Sequence, residues 1–555
     1  MAAGGSLSSG GSLGAGGGVS SGGASAEGGT SGGGANGIGG TRGGGGTGGG
    51  AGAAGGGGTQ ASGGSSARGG SAAAGGASRT GGASATGGRR GTGAAAGSGG
   101  ASTTATGAGG GSGGTTSSNT GGCSIAVTSK TTSPQMATVG VIEWSATIEN
   151  LSRAQIVYTL DNAGSGVLNK GGNAPVDLTK PNYRTLLLGL KPSSTYTFHV
   201  EATAADGSAC KSDDATLTTG TLSGAPTITR TASKPTAQAV GFVISSGGVS
   251  HSGGSGINQA FIVDADGVVV WTASAPSQSS RARLDYEGNN MWMMALNVGN
   301  ATGEMRYVSM DGATKQNNVS GLSKSHHDFT VRKGGIVATM AWAGSGMDPE
   351  SDLIERSPDG KVTTVFRIGA SLYKGGPGLM SGSANGYHCN SILYHESDDT
   401  YTIGDRNPSC FVKVSRAGKP LWQLGGDCSG APAAQCVSGS WSINHGHQIL
   451  DNGNFLFFNN GDYRSTTPSS VLEYTLSTSG TMQANLVKSY ASSSKSRSDS
   501  LGDVQRLPNG NTLVVFSNDG LIEEVDSSWN VVQTLKASSF GYADWRETLY
   551  GPPPR

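Results

Sequence analysis

The sequence predicts an all-β chain: a β-propeller of about six blades, preceded by a smaller β-sandwich and a disordered low-complexity tether. Three observations carry this. Residues 1–122 are almost wholly Gly, Ala, Ser and Thr. From Cys123 onward apolar and polar residues alternate over short runs, the period-two pattern of half-buried strands. Beyond residue 230 a strand–turn–strand unit recurs along the chain, as a repeat architecture requires.

The tether comes first. The chain has 555 residues, of which 100 are Gly, concentrated in residues 1–122. Such a segment lacks the apolar side chains that would offset its ordering entropy, so it is expected to be flexible. No Gly-X-Y period with Pro runs through it, which excludes collagen. The opening Met1-Ala-Ala-Gly-Gly has neither a charged nor an apolar leader region, so no signal peptide is visible. A Gly/Ser tether ahead of β domains nevertheless suits an exported protein, periplasmic or on the cell surface. An export or lipoprotein signal upstream of the visible start is the expectation.

Charge and cysteines narrow the class. Lys+Arg and Asp+Glu both number 37, so no basic field attracts nucleic acid or an anionic membrane. No apolar run has the length of a transmembrane helix. The six Cys lack CxxC metal spacing and fall into local pairs: Cys123 with Cys210, Cys389 with Cys410, Cys428 with Cys436. Disulfides in an oxidising compartment are expected rather than a zinc site.

Residues 123–220 read as a sandwich. Ile142-Glu-Trp144, Gln155-Ile-Val-Tyr158 and Tyr196-Thr-Phe198-His-Val200 alternate, with turn residues between them at sandwich spacing. The run Leu186-Leu-Leu-Gly-Leu190-Lys-Pro-Ser-Ser-Thr-Tyr196 resembles the fibronectin type III family, with Trp144 as the early core Trp. Such a module spaces or binds; His199 within it has a structural role. A linker, residues 221–229, leads to the propeller, residues 230–555.

There, one half of the repeat is a strand, a Gly or Asn turn and a second strand. It is seen at Arg283–Trp292, His327–Val337, His445–Leu456 and Asp503–Leu513, with a looser version at His388–Ile403. The other half is a hairpin, as at Phe261–Trp271, Leu353–Val362 and Phe411–Trp422. Two hairpins make a four-stranded blade, and the N-terminal hairpin, closed by the C-terminal end, completes about six. With the turn Gly as ruler, His327 lies eight residues before Gly335 and His445 eight before Gly453. These imidazoles are therefore equivalent positions on two blades. His388 opens a third, so the three are expected to converge on the axis.

The same stretch carries His327-Asp328, His388-Cys-Asn390-Ser391, Asp405-Arg406, Trp422-Gln-Leu-Gly-Gly426, His445 ahead of Asn452-Gly-Asn454, and Asn459-Asn-Gly461. In this order the motifs resemble the bacterial arylsulfate sulfotransferase family, the PAPS-independent arylsulfotransferases, over about residues 230–540. The resemblance implies a six-bladed propeller and His445 as nucleophile, with His327, His388 and Arg406 as the other catalytic residues. It implies an aryl sulfate donor and a phenolic acceptor, with no cofactor and no metal. Two departures stand out: Gly446 follows His445 where Asp is usual, and Asn459 stands where Asp is usual.

The residues suit that chemistry on physical grounds. Arg holds sulfuryl oxygens in a two-point contact. Neutral imidazole is a nucleophile near pH 7 and forms a covalent intermediate. A second His removes the acceptor's proton. Asn390, Arg464 and His447 are candidate substrate contacts. Duller readings stay beside these. Arg406 pairs with Asp405 or Glu396 on the surface; Arg464 caps a loop. His447, two residues from His445 on the same strand face, is a supporting residue, or the pair ligates a metal. His326 faces away from His327 and is structural, His395 is a solvated loop residue, and Asp503 and Arg506 are unassigned. The alternatives to an enzyme of this kind are a non-catalytic adhesion or ligand-binding protein and, more weakly, a His-rich metal-dependent hydrolase. The sequence leaves a homodimer open.

Overall fold

The computed structural model describes residues 123–249, 257–297, 303–343, 351–368, 374, 376, 386–462 and 464–554; the tether, residues 1–122, lies outside the described residues. What is described is all-β, with only two single-turn 3₁₀ helices, Pro181–Tyr183 and Pro235–Ala237. No described helix is long and apolar enough to cross a membrane.

Two antiparallel sheets come first. One joins Ile125–Thr132, Gly140–Ala146 and Thr185–Leu187. The other joins Gly171–Pro175, Leu151–Leu160, Thr195–Ala204 and Ala209–Lys211, with Ala215–Thr218 also on Thr195–Ala204. Alternation decides which face is inside. In Thr195–Ala204 every second side chain, from Tyr196 to Ala204, is buried. Tyr196, Phe198, Val200 and Ala202 pack with Trp144, Ile142, Ile156 and Leu187. The Tyr196 hydroxyl accepts a hydrogen bond from the Lys191 N–H at 2.8 Å and fixes the turn before its strand. Cys123 and Cys210 form a disulfide across this part.

The sandwich is pinned to the C-terminal sheets. Lys191 pairs with Asp264 and, at 2.9 Å, with Asp266. The Tyr550 hydroxyl accepts from the Leu188 N–H at 2.7 Å and donates to the Leu186 carbonyl at 3.0 Å. Gly189 has φ +76°, and a Cβ there would meet the Phe242 ring at 2.6 Å; only glycine allows both the conformation and the contact.

Six sheets make up the rest. Sheet I joins Val269–Ser274, Gln259–Asp264, Phe242–Ser246 and the C-terminal Ala543–Arg546. Sheet II is Ser279–Leu284, Asn290–Ala295, Met305–Ser309 and Lys315–Gln316. Sheet III is Ser325–Arg332, Ile336–Trp342, Ser351–Arg356 and Val362–Arg367. Sheet IV is Cys389–His395, Thr400–Asp405, Cys410–Ser415, Pro420–Gly425 and a short parallel Cys436–Val437. Sheet V is Asn444–Ile449, Phe455–Asn459, Ser470–Ser477 and Gln483–Tyr490. Sheet VI is Asp503–Arg506, Thr512–Phe516, Leu521–Val525 and Val531–Lys536, with Thr229–Ala232 on its edge.

Each end of this region is thus paired into a sheet begun by the other end. Ala543–Arg546 and the first strands of sheets II to VI lie each against the next in a closed ring. Between neighbouring sheets lie separate apolar layers. Met340, Leu353, Ile392 and Tyr401 fill the space between III and IV; Phe411, Trp422, Phe455 and Phe457 fill that between IV and V. A strand covered on both faces loses its alternation. This is why Phe455-Leu-Phe-Phe458 is wholly buried, each such side chain contributing about 1.5–3 kcal/mol.

One local device repeats. In sheets II, III, IV and V the first strand is bulged near its start, between Ser279 and Arg281, His326 and Phe329, Cys389 and Ser391, and Asn444 and His447. A bulge inserts an unpaired residue and re-aims the side chains around it.

The cysteines need one correction. Cys428 and Cys436 form a disulfide, but Cys389 and Cys410 are buried thiols. Both sit opposite Asp405, one on each side of the strand Thr400–Asp405. Adjacent strands are about 4.8 Å apart, so residues separated by a whole strand lie beyond the Cα distance a disulfide spans.

Candidate active site

The first-strand bulges deliver the imidazoles. In sheet III the backbone turns at His327, with φ +62°, so adjacent residues no longer point to opposite faces. His326 Nδ1 and His327 Nδ1 are 2.9 Å apart. The expectation that His326 faces away fails for this reason. Its ring stacks on Trp342, centroids 3.6 Å apart and 10° from parallel, and its Nε2 lies 3.0 Å from Ser351 Oγ.

His388 stands just ahead of the first strand of sheet IV. Its Nε2 is 3.0 Å from His327 Nε2. Its backbone is held at both ends: the N–H donates to Asp405 Oδ1 at 2.8 Å, and the carbonyl accepts from the Arg406 N–H at 3.1 Å. Arg406 opens the turn after the second strand of that sheet, and its charge bears on both His327 and His445.

His445 lies in the bulge of sheet V. Its Nδ1 is 2.6 Å from Asn460 Oδ1. The orientation of that amide is set by its other contacts, since Asn460 Nδ2 donates to the carbonyls of Ser498 and Leu501, both at 2.8 Å. Two acceptors on the nitrogen assign the oxygen to the ring. Nδ1 of His445 therefore carries the proton, and the lone pair is on Nε2.

The site is deeply buried, with His327, His388 and His445 at 3%, 1% and 3% exposure. Burial holds His445 well below the ordinary imidazole range, and the positive charge of Arg406 lowers it further, while the bond from Asn460 opposes the shift. His327 is lowered by burial, then by His388, His326, His445 and Arg406. His327 and His445 are therefore neutral at pH 7. The arrangement offers an oriented lone pair, a cation near it and further imidazoles for proton transfer, the parts of a nucleophilic group transfer.

Beside the imidazoles sits a group of which the sequence motifs single out only Asp328. Arg281, 3% exposed, pairs with Asp328, with Asp503 at 3.0 Å and with Asp544 at 2.8 Å. It lies 4.5 Å from the Tyr542 ring centroid, and the Tyr542 hydroxyl donates to the Asn390 carbonyl at 2.6 Å. The Tyr542 and His445 ring centroids are 6.2 Å apart. For Arg281 the signal in the sequence is the Arg-Ala-Arg of a strand otherwise fit for burial. Within the Asn459-Asn-Gly461 motif the orienting residue is Asn460, which the sequence does not distinguish from its neighbour. Asn459 instead accepts from the Gly461 N–H and donates to Ser470 Oγ.

The glycine after His445 has a steric cause. A Cβ on Gly446 would lie 1.8 Å from Asp503 Oδ1 and 2.7 Å from Asp503 Cα. No side chain fits there, acidic ones included, because the first strand of sheet VI already places a carboxylate in that volume. Burial pushes Asp503 up to about 6, with Arg281 opposing and Asp544 and Asp328 adding to the rise.

The remaining candidates sit around this centre. Asn390 donates through Nδ2 to the Asn444 carbonyl at 2.6 Å, tying sheets IV and V. Arg464 is exposed in the loop after sheet V's second strand. His447 does not share the face of His445, because the bulge between Asn444 and His447 breaks the alternation. Its ring lies 13° from parallel with Phe455, with Nδ1 3.0 Å from Ser391 Oγ and Nε2 2.7 Å from Thr402 Oγ1. Both nitrogens are thereby engaged away from His445. His395 is on the strand Cys389–His395 rather than in a loop, with Nε2 2.9 Å from Thr402 Oγ1. Among the described residues no group of three or more His, Cys, Asp or Glu is arranged to hold a metal ion.

Comparison with known proteins bears on the whole of this region. No curated protein matches the chain. Solved structures similar to it include a streptogramin B lyase, at 10% identity over 55% of this chain and 86% of the other, TM-score 0.33. Another is a virginiamycin B lyase from Staphylococcus aureus, at 11% identity over 56% and 89%, TM-score 0.32. A luciferin-regenerating enzyme matches at 11% over 57% and 97%, TM-score 0.30. Likeness this distant carries no argument about chemistry. The family model described as Arylsulfotransferase (ASST) matches residues 248–540, which hold every imidazole of the site and more than half of the sequence, and the chain belongs to that family.

Proposed function

We propose that this protein is an arylsulfate sulfotransferase that works by a ping-pong mechanism through a sulfohistidine at His445. In the first half-reaction Nε2 of His445 bonds to the sulfur of an aryl sulfate ester. The sulfur–oxygen bond to the aryl group breaks, and its electron pair leaves on the phenoxide. In the second, an acceptor phenol oxygen bonds to sulfur and the sulfur–nitrogen bond breaks. Its pair returns to Nε2, and the phenol proton passes to His388 or His327. Arg406 balances the charge on the sulfuryl oxygens. Asn390 and Arg464 contribute at most to holding substrate, and His447 supports the strand.

The observation that carries this reading is the 2.6 Å contact of Asn460 Oδ1 with His445 Nδ1. It holds the lone pair on Nε2, doing for this imidazole what an acidic partner does elsewhere. The six sheets act in the same proposal as the blades of a propeller around the site. The two N-terminal sheets form a fibronectin type III-like spacer over residues 123–220, and residues 1–122 a tether. Two disulfides suit an oxidising compartment outside the cytosol.

The test is chemical. 4-Nitrophenyl sulfate should add one sulfuryl group, about 80 Da, to the peptide containing His445, and phenol should remove it. His445→Ala should lose the adduct and the nitrophenol release together. A folded protein that forms no adduct with several aryl sulfates would make the propeller a binding site instead.

A further inference from the structure

Four groups form one unbroken row: His388 Nε2 to His327 Nε2 at 3.0 Å, His327 Nδ1 to His326 Nδ1 at 2.9 Å, and His326 Nε2 to Ser351 Oγ at 3.0 Å. We propose that His326 and Ser351 are positioning residues that join His327 and His388 into one proton-holding unit, which holds the acceptor's proton while a sulfate ester occupies the site; this rests on the transfer reaction above.

The reason is a count of donors. A neutral imidazole has one N–H and one lone pair, and a contact between two ring nitrogens needs one of each. The direction of any one contact therefore sets the direction of the next. An added proton fits without breaking the row. If His388 or His327 carries it, every nitrogen–nitrogen contact still has one donor and one acceptor. His326 then accepts at Nδ1 and donates from Nε2 to Ser351. Cut at His326, the row loses that outlet, and His327 is left with a buried nitrogen facing no partner.

A second observation points the same way. The ring of His326 lies flat on Trp342, 3.6 Å between centroids. The face of a Trp attracts cationic charge, so charge shared along the row is favoured at its far end. Burial of His326 and His327 disfavours the extra proton until an anionic sulfuryl group lies beside the row and offsets that cost.

The steps balance. As the acceptor oxygen bonds to sulfur and the sulfur–Nε2 bond of His445 breaks, the phenol proton moves to His388 and is shared with His327. In the first half-reaction the row takes a proton from solvent as the anionic donor ester enters; the sulfur–Nε2 bond forms, the aryl oxygen leaves sulfur with its electron pair, and that proton goes to that oxygen. Water supplies the proton as the donor ester enters and takes it back as the product ester leaves, so the row is neutral in the empty site and beside the sulfohistidine.

The test compares His326→Phe, which keeps an aromatic ring on Trp342, with Ser351→Ala and wild type. Single-turnover release of nitrophenol from 4-nitrophenyl sulfate reads the first half-reaction, and transfer to a series of phenols of decreasing acidity reads the second. Nitrophenoxide leaves with little help, so its release should change little. Transfer to weakly acidic phenols should slow on the order of a hundredfold in His326→Phe, as loss of acid–base help does. Acidic phenols, already ionised, should escape most of that loss. Ser351→Ala should show the same dependence on acceptor, more weakly, and covers the case in which His326→Phe does not fold. Equal losses for every acceptor, or none, would overturn the relay while leaving the sulfotransferase reading intact. A wild-type protein that transfers nothing would overturn that reading and the relay with it.

Discussion

Asn460 does two jobs with two ends of one amide, and substitution can separate them. Its oxygen holds His445; its nitrogen donates to the carbonyls of Ser498 and Leu501 at 2.8 Å each. In Asn460→Asp the oxygen facing His445 remains, but the other now faces two carbonyl oxygens. Two buried acceptors lose their donor at about 1–3 kcal/mol each. With partial relaxation we expect a loss of about 3–5 kcal/mol, a large share of the roughly 5–15 kcal/mol of a folded domain. Activity per folded molecule should survive, because the acceptor that fixes the tautomer is still present. Asn460→Leu removes both ends. It should be destabilised similarly and should also lose nitrophenol release on the order of a hundredfold or more, as enzymes do when a positioned hydrogen-bonding group is removed. Urea denaturation and a single-turnover assay on the folded fraction separate the effects. If Asn460→Leu retained activity within about threefold of wild type, the tautomer argument would be refuted, and with it the role given to His445.

Acid should unfold this protein early. His326, His327 and His445 are held well below 6.5 by burial, while His447 is lowered to about 3 and His395 to about 4. Above pH 6.5 these rings are neutral in both states. Below it the unfolded chain binds protons that the folded one refuses, at up to about 1.4 kcal/mol per ring per pH unit. Asp503, raised to about 6, opposes this by one proton below that pH, so the net slope remains destabilising. The urea midpoint should fall steeply from pH 7 to 5.5, and a flat profile would contradict the neutral, buried rings. Thiol titration in denaturant without reductant should find two reactive cysteines, Cys389 and Cys410, and four more after reduction; six at the outset would deny both disulfides.

Much of the fold is legible in order along the chain. The β class comes from period-two alternation in runs such as Thr195–Ala204, and the equivalence of His327 and His445 from their common distance to a turn glycine. Such signals are local: they depend on backbone period and on the φ that a turn demands. The family, too, is carried by motifs in sequence order. What no local rule gives is the direction of side chains at the bulges. Alternation puts His326 opposite His327 and His447 beside His445; the extra residues of the first strands, two in sheet III and one in sheet V, reverse both assignments. Nor does spacing show that Asn460, fifteen residues on, orients His445. Gly446 looks like a missing acid until Asp503 is found in its space. Cys389 and Cys410 look like a pair until a strand is found between them. The sequence by itself determined which elements form and which residue types gather in one region; the tertiary structure alone decided which atoms meet, because contacts between sheets depend on registers and bulges summed over the whole ring.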